Sequence, residues 1–109
     1  MDEYEAIKKR FAEYEAEAQE SDLGVDVGLF GAALGILTRA CLTKERRHLL
    51  QVNLTGHEHS AALTEAQKYA LLKFVSPTKS EETGKWVPEL GARFYRNVEV
   101  VLNHKRDAA

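Results

Sequence analysis

Apolar side chains recur along the chain at helical spacing and predict four helices, at about residues 2–20, 27–53, 61–75 and 88–104. In the first helix the gaps between apolar residues are three or four positions, which places on one face Tyr4, Ile7, Phe11, Tyr14 and Ala18. The third and fourth helices have similar inner faces, formed by Leu63, Ala66, Ala70, Leu71 and Phe74, and by Leu90, Phe94, Val98, Val101 and Leu102. We find no alternation typical of strands. The pattern therefore predicts an all-α fold, a single helical domain over residues 1–109.

The second predicted helix is apolar on every side over its first half, because residues 27–38 contain no charge. Gly28, Gly31 and Gly35 interrupt this run. Each glycine inside a helix costs about 0.5–1 kcal/mol relative to alanine. We therefore expect a compensating close contact, with another helix packed tightly against the glycines. This segment would then be the long central helix of a bundle-like domain.

The run GLFGAALGIL in this segment is similar in local composition to viral fusion peptides, which alternate glycine with bulky apolar residues. A membrane-spanning helix needs about 20 apolar residues. This run is shorter, and Asp26 and Arg39 bound it. The preferred interpretation is a helix buried in protein, without membrane insertion.

Turn-forming residues mark the helix ends. Asp26 is expected to cap the second helix, Gly56 to end it, and Ser60 to cap the third. Pro77 should end the third helix, and residues 76–85 form a polar loop. Pro88 suits the first turn of the fourth helix.

Charge is unevenly distributed, although the net value is only −2. Residues 1–22 carry eight acids and three bases, a net −5, whereas residues 23–75 carry +2 and residues 76–109 carry +1. The single cysteine excludes an internal disulfide and favours a reduced, cytoplasmic setting. The polar N-terminal sequence MDEYEAIKKR does not suggest a signal peptide.

Few residues suggest chemistry. Cys41, Glu45 and His48 share one face of the predicted second helix, and Glu45-x-x-His48 has the spacing of one half of a di-iron site in a bundle. His57 and His59 flank Glu58 in the following turn, but one His-x-His is less than a zinc site needs. Cys41 lies among apolar residues, where a thiolate is disfavoured. We therefore expect no metal, no cofactor and no catalytic residues.

These features favour a non-catalytic helical subunit or adaptor that binds another protein, including a second copy of itself. The expected interface residues are Tyr4, Phe11 and Tyr14, together with Leu72, which falls on the polar side of the third helix. One alternative is a nucleic-acid-associated accessory protein that uses the basic residues of segment 39–48, Arg39, Lys44, Arg46 and Arg47. A second alternative is a bundle that binds a metal or another ligand.

Overall fold

The computed structural model describes residues 2–104. Over this range the chain forms five α-helices, one 3-10 turn at Ser60–Ala62, and a two-stranded sheet. The helices are α1 (Glu3–Ser21), α2 (Val27–Cys41), α3 (Lys44–Thr55), α4 (Glu65–Val75) and α5 (Ala92–Leu102), and the strands are β1 (Pro77–Lys79) and β2 (Trp86–Pro88). The predicted all-α class is confirmed.

The prediction of one long helix over residues 27–53 is wrong. The backbone of Leu42 has a φ of 72°, a positive value that is incompatible with a right-handed helix, and α3 begins just beyond it. The hydroxyl of Thr43 accepts a hydrogen bond from the backbone N–H of Arg46 and so caps α3. The chain turns by 111° at this break. As a result α2 packs on α4, while α3 packs on α5.

The predicted loop 76–85 contains more structure than its polar sequence suggests. Its first residues form a strand that pairs antiparallel with the residues just after the loop, with Pro77 opposite Pro88 and Lys79 opposite Trp86. A turn closes the hairpin, since the backbone N–H of Ser80 donates to the carbonyl of Lys85 at 2.9 Å. Pro88, expected in the first turn of the last helix, instead ends β2. Three-residue strands are too short to produce an alternating pattern.

Local capping determines where α4 begins. Ser60, the expected cap, instead begins the 3-10 turn. The true cap is Thr64, whose hydroxyl accepts from the backbone N–H of Gln67 while the Gln67 side chain accepts from the backbone N–H of Thr64. This reciprocal pair is a capping box. The caps predicted at Asp26 and Gly56 are confirmed.

The inward faces predicted for the helices form most of the core. The residues buried in the main cluster include Phe11, Ile36, Leu37, Leu50, Leu54, Leu71, Phe74, Phe94, Val98 and Val101. Two predictions about burial are wrong. Leu90, expected inside, is 46% exposed because it lies before α5 begins. Leu72, expected outside, is half-buried and packs against the core.

The glycines of α2 do not mark a close helix–helix contact, so that prediction is wrong. A methyl group on Gly31 would meet no neighbouring heavy atom within 4 Å. At Gly35 it would meet the Arg39 guanidinium at 3.7 Å, and at Gly28 the Asp26 carboxylate at 3.3 Å. The first turns of α2 face solvent, and Val27 just before Gly28 is 86% exposed. Only one face of this apolar helix is covered.

Gly31→Ala is therefore expected to stabilise the protein. The alanine removes the helix-propensity penalty and meets open space, so the gain is about 0.5–1 kcal/mol. Thermal unfolding followed by circular dichroism should show a melting temperature higher by about 2–6 °C. Gly56→Ala is the control, because Gly56 has a φ of 82° and alanine is strained there. A Gly31→Ala protein that melts below the parent would show that another chain segment does contact α2 at this point.

Candidate functional site

The structure places the four predicted interface residues mostly against the chain's own core. Phe11 is buried, and Tyr4, Tyr14 and Leu72 are half-buried beside it. The ring of Tyr4 also stacks on that of His104, with centroids 3.5 Å apart. A role for these residues in a partner interface stays a prediction, and it now concerns only the exposed edges of the three half-buried side chains.

The basic residues of segment 39–48 do not form one free patch. Arg46 Nε donates to the Cys41 carbonyl at 2.8 Å, and Arg47 Nη1 donates to the Thr38 hydroxyl at 2.9 Å. Arg39 Nη2 donates to the Trp86 carbonyl at 3.3 Å. The helix break turns Arg46 and Arg47 back towards the end of α2. These two cations stabilise the bend. Because part of their hydrogen-bonding capacity is used within the chain, they are less available to bind an external phosphate.

The break also separates the residues expected to share a metal-binding face. Cys41 ends α2, whereas His48 lies on α3 with its Nδ1 3.4 Å from a carboxylate oxygen of Glu58. The His48 ring meets that of His59 edge to face, with centroids 5.0 Å apart. Burial raises the pKa of the Cys41 thiol to about 11, although the cations of α3 oppose this. Within residues 2–104, no three His, Cys, Asp or Glu side chains are grouped closely enough to hold a metal.

A cleft with a volume of about 540 Å³ lies between α1, the end of α4 and the start of α5. Its floor is apolar. The side chains of Phe11 and Phe74 close the bottom, and Ile7 and the exposed Leu90 contribute to the walls. Such a surface favours an apolar side chain of a ligand, because burial removes both surfaces from water.

The rim of this cleft is positively charged. Arg10 comes from α1, Lys73 from α4, and Arg93 and Arg96 from α5, while Glu3 is the acidic residue among those that line it. Four cations and one carboxylate give a net charge of +3, in a chain whose total is −2. We refer to this feature as the cationic cleft.

One rim cation already binds a carboxylate. Arg96 Nη2 and Nε donate to the two carboxylate oxygens of Glu3, at 2.6 and 3.1 Å. Both side chains are more than half exposed, so this ion pair contributes little to stability. Its two-pronged geometry shows that the rim accommodates a carboxylate group.

The other rim cations are not neutralised. Arg10 Nε donates to the Tyr14 hydroxyl at 3.3 Å, and Lys73 Nζ lies 5.5 Å from the centre of the Tyr69 ring. Within residues 2–104, the Arg93 guanidinium has no hydrogen-bond or ion-pair partner, and neither Arg10 nor Lys73 is paired with a carboxylate. Arg93 therefore faces the cleft without an acidic partner among the described residues. Arg10 and Lys73 face it without an ion pair, although Glu13 on the same helix interacts electrostatically with Arg10.

The position of two of these cations is electrostatically unfavourable for the isolated chain. Arg93 and Arg96 lie in the first two turns of α5, where the aligned peptide dipoles favour negative charge. Gly91 supplies no side-chain cap, and the first turn contains no acidic residue. An anionic group in the cleft would interact favourably with both the cations and the helix end.

The sequence contains only a weak signal for this cleft. Arg93 and Arg96 are three residues apart and therefore share a helix face, but Arg10 and Lys73 are brought to them by folding alone. Comparison with protein-family models, with curated proteins and with solved structures yields no significant match. Any function inferred for the chain therefore depends on the geometry and charge of this site.

The apolar segment after residue 26 does not continue as a straight spanning helix. Among residues 2–104, no single helix has the length and apolar character needed to cross a bilayer. The pair Val27–Cys41 and Lys44–Ala62 reaches that length and composition together, but its two parts are bent by 111°.

Proposed function

We propose that the protein is a non-catalytic interaction subunit that binds an acidic segment of a protein in the cationic cleft. The observation that carries this proposal is the set of three rim cations, Arg10, Lys73 and Arg93, without carboxylate partners above an apolar floor. The proposal retains the cytoplasmic setting expected from the single cysteine.

The cleft suits a segment with one apolar side chain flanked by carboxylates. The volume of about 540 Å³ lies within the usual range for a pocket that holds one compact group. The apolar group would cover the exposed side of Leu90 and the edges of Phe11 and Phe74. The flanking carboxylates would bind the rim, in the manner that Glu3 binds Arg96.

A nucleic acid fits the same surface less well. Nucleic-acid sites present a basic stripe that follows the phosphate backbone. Here the four rim cations surround one compact cleft, and exposed acids on α1, Glu13, Glu17 and Glu20, would repel a longer polyanion. A peptide places its few charges within the cleft and avoids these residues.

Binding of a short fluorescein-labelled peptide tests the proposal. The peptide contains aspartates on both sides of a Phe-Leu pair, and a second peptide replaces every aspartate with asparagine. Fluorescence anisotropy should show binding of the acidic peptide alone. Arg93→Glu is expected to weaken this binding about tenfold or more, since it places like charges in contact across the site.

Lys9→Glu is the matched control, because Lys9 carries the same charge on α1 but does not line the cleft. It should change the affinity much less than Arg93→Glu does. Equal effects of the two variants would mean that only net charge matters. Absence of acidic-peptide binding, or tighter binding of a single-stranded oligonucleotide at the same salt concentration, would reject the peptide-binding function.

A further inference from the structure

We propose that the acidic segment bound by the cationic cleft includes residues 13–22 of a second copy of the chain, in a two-fold symmetric dimer. This inference builds on the proposed function and names its occupant. Residues 13–22 contain five acids and no base, namely Glu13, Glu15, Glu17, Glu20 and Asp22. They form the C-terminal half of α1 and the residue that follows it.

The acidic residues continue the same face of α1 that lines the cleft. Residues seven apart lie on one face of a helix, so Glu17 follows Glu3 and Arg10 along one line. In the same way Glu13 and Glu20 follow Ala6, which also lines the cleft. One face of a single helix therefore carries the positive cleft in its first half and negative charge in its second.

This arrangement is self-complementary. If two copies of α1 pack antiparallel about a two-fold axis near residues 13 and 14, each negative half lies over the other copy's cleft. Arg10 of one copy then faces Glu17 of the other, and the region around Ile7 faces Glu20. A two-fold axis makes every such contact occur twice, which is the usual form of a homodimer interface.

The exposed state of the acids supports this docking. Glu13, Glu17 and Glu20 are all exposed, and Glu17 Oε1 also accepts a hydrogen bond from the Tyr69 hydroxyl of its own chain at 3.0 Å. Glu20 lies in the last turn of α1, where the helix dipole favours cations and where no base is present. In the dimer, the partner's rim cations would supply the positive charge that these acids lack. Residues 13–22 would in turn supply the negative charge that Arg93 and the start of α5 lack.

Charge swapping tests the dimer directly. The first variant combines Arg10→Glu with Arg93→Glu, and the second combines Glu17→Lys with Glu20→Lys. Each variant alone repels its own copy and is expected to weaken dimerisation about tenfold or more by sedimentation equilibrium. Mixed in equal amounts, they should form a heterodimer, because in the mixture both halves of the interface again join opposite charges.

A second pair of variants controls for net charge. Lys9→Glu and Glu5→Lys change residues of α1 that do not line the cleft, and they should leave the parent dimer unchanged. Circular dichroism checks that every variant keeps its helices. Raising the salt concentration from about 0.05 to about 0.5 M should dissociate the parent dimer, since exposed charges are screened.

The outcomes separate this inference from the proposed function. A parent protein that binds the acidic peptide but sediments as a monomer at every concentration contradicts the dimer and leaves peptide binding intact. A dimer that persists in both charge-reversed variants, or variants that fail to associate when mixed, places the interface elsewhere and overturns the inference. Absence of peptide binding to the parent, measured at a concentration low enough that the chain is monomeric, would reject the proposed function itself.

Discussion

Phe11→Glu is expected to unfold the protein. Phe11 is 2% exposed and belongs to the main core cluster, although its edge reaches the floor of the cationic cleft. Loss of the ring alone costs about 3–5 kcal/mol. The introduced carboxylate would also lose its hydration without gaining a partner. Since a domain of this kind is stable by about 5–15 kcal/mol, the folded population should largely disappear.

Circular dichroism and urea unfolding measure this effect, with Leu90→Glu as the control. Leu90 lines the same cleft but is 46% exposed, so its new carboxylate stays hydrated. Leu90→Glu should retain the parent's helicity, with a change of about 0.5 kcal/mol or less. If the Phe11→Glu protein instead unfolds at the same temperature and urea concentration as the parent, Phe11 is not a core residue. Its predicted place in a partner interface then gains support.

Asn53→Asp is expected to destabilise the protein by about 3–5 kcal/mol at neutral pH, because it creates an unpaired buried charge. Asn53 is 3% exposed, and its Nδ2 donates to the Val101 carbonyl at 2.8 Å and to the His104 carbonyl at 3.4 Å. Its Oδ1 is buried without a hydrogen-bond partner among the described residues. A carboxylate of the same shape would direct negative oxygens at these carbonyls and could donate no hydrogen bond to them.

The pH dependence of this variant has a definite sign. Burial and the facing carbonyls raise the folded-state pKa of the introduced carboxyl above the unfolded value of about 3.9. The folded state therefore binds a proton more readily than the unfolded state, and stability relative to the parent increases as pH falls towards about 4. Urea unfolding across this range provides the measurement.

Asn103→Asp is the control, because it makes the same chemical change at an exposed position at the end of α5. It should have a small effect at neutral pH. The stability of Asn53→Asp relative to the parent should increase as pH falls. If it does not, the introduced carboxyl is hydrated in the folded state.

Helix positions were predictable where local signals act over a few residues. The spacing of Phe94, Val98 and Val101 places three apolar side chains on one face whatever that face contacts, and all three are buried. Asp26 and Gly56 act on their own turns, so their capping roles were predictable as well.

The break at Leu42 could not be predicted in the same way. Leucine strongly favours helix, and nothing in its own chemistry calls for a φ of 72°. The bend is stabilised by contacts made after folding, including those of Arg46 and Arg47 with the end of α2. Tertiary packing of α2 on α4 and of α3 on α5 thus overrides the local preference.

The apolar run in α2 led to a wrong prediction about its burial. Its composition indicated burial on all sides, but burial depends on what neighbours are available. One face, with Ala33, Ile36 and Leu37, meets the core, whereas Val27 and Gly31 remain exposed. A small domain exposes a large share of its surface, and in this one the second face of α2 is left in contact with solvent.

The sequence by itself determined the all-α class, the inner faces of the helices and the separation of acidic from basic segments, because these depend on residue type and on spacing within one element. Only the tertiary structure decided the α2–α3 bend and the cationic cleft. The cleft joins Arg10, Lys73 and Arg93, which are tens of residues apart. Their proximity follows from how α1, α4 and α5 pack, and helix packing depends on the fit of whole side-chain surfaces, which spacing along one helix does not encode.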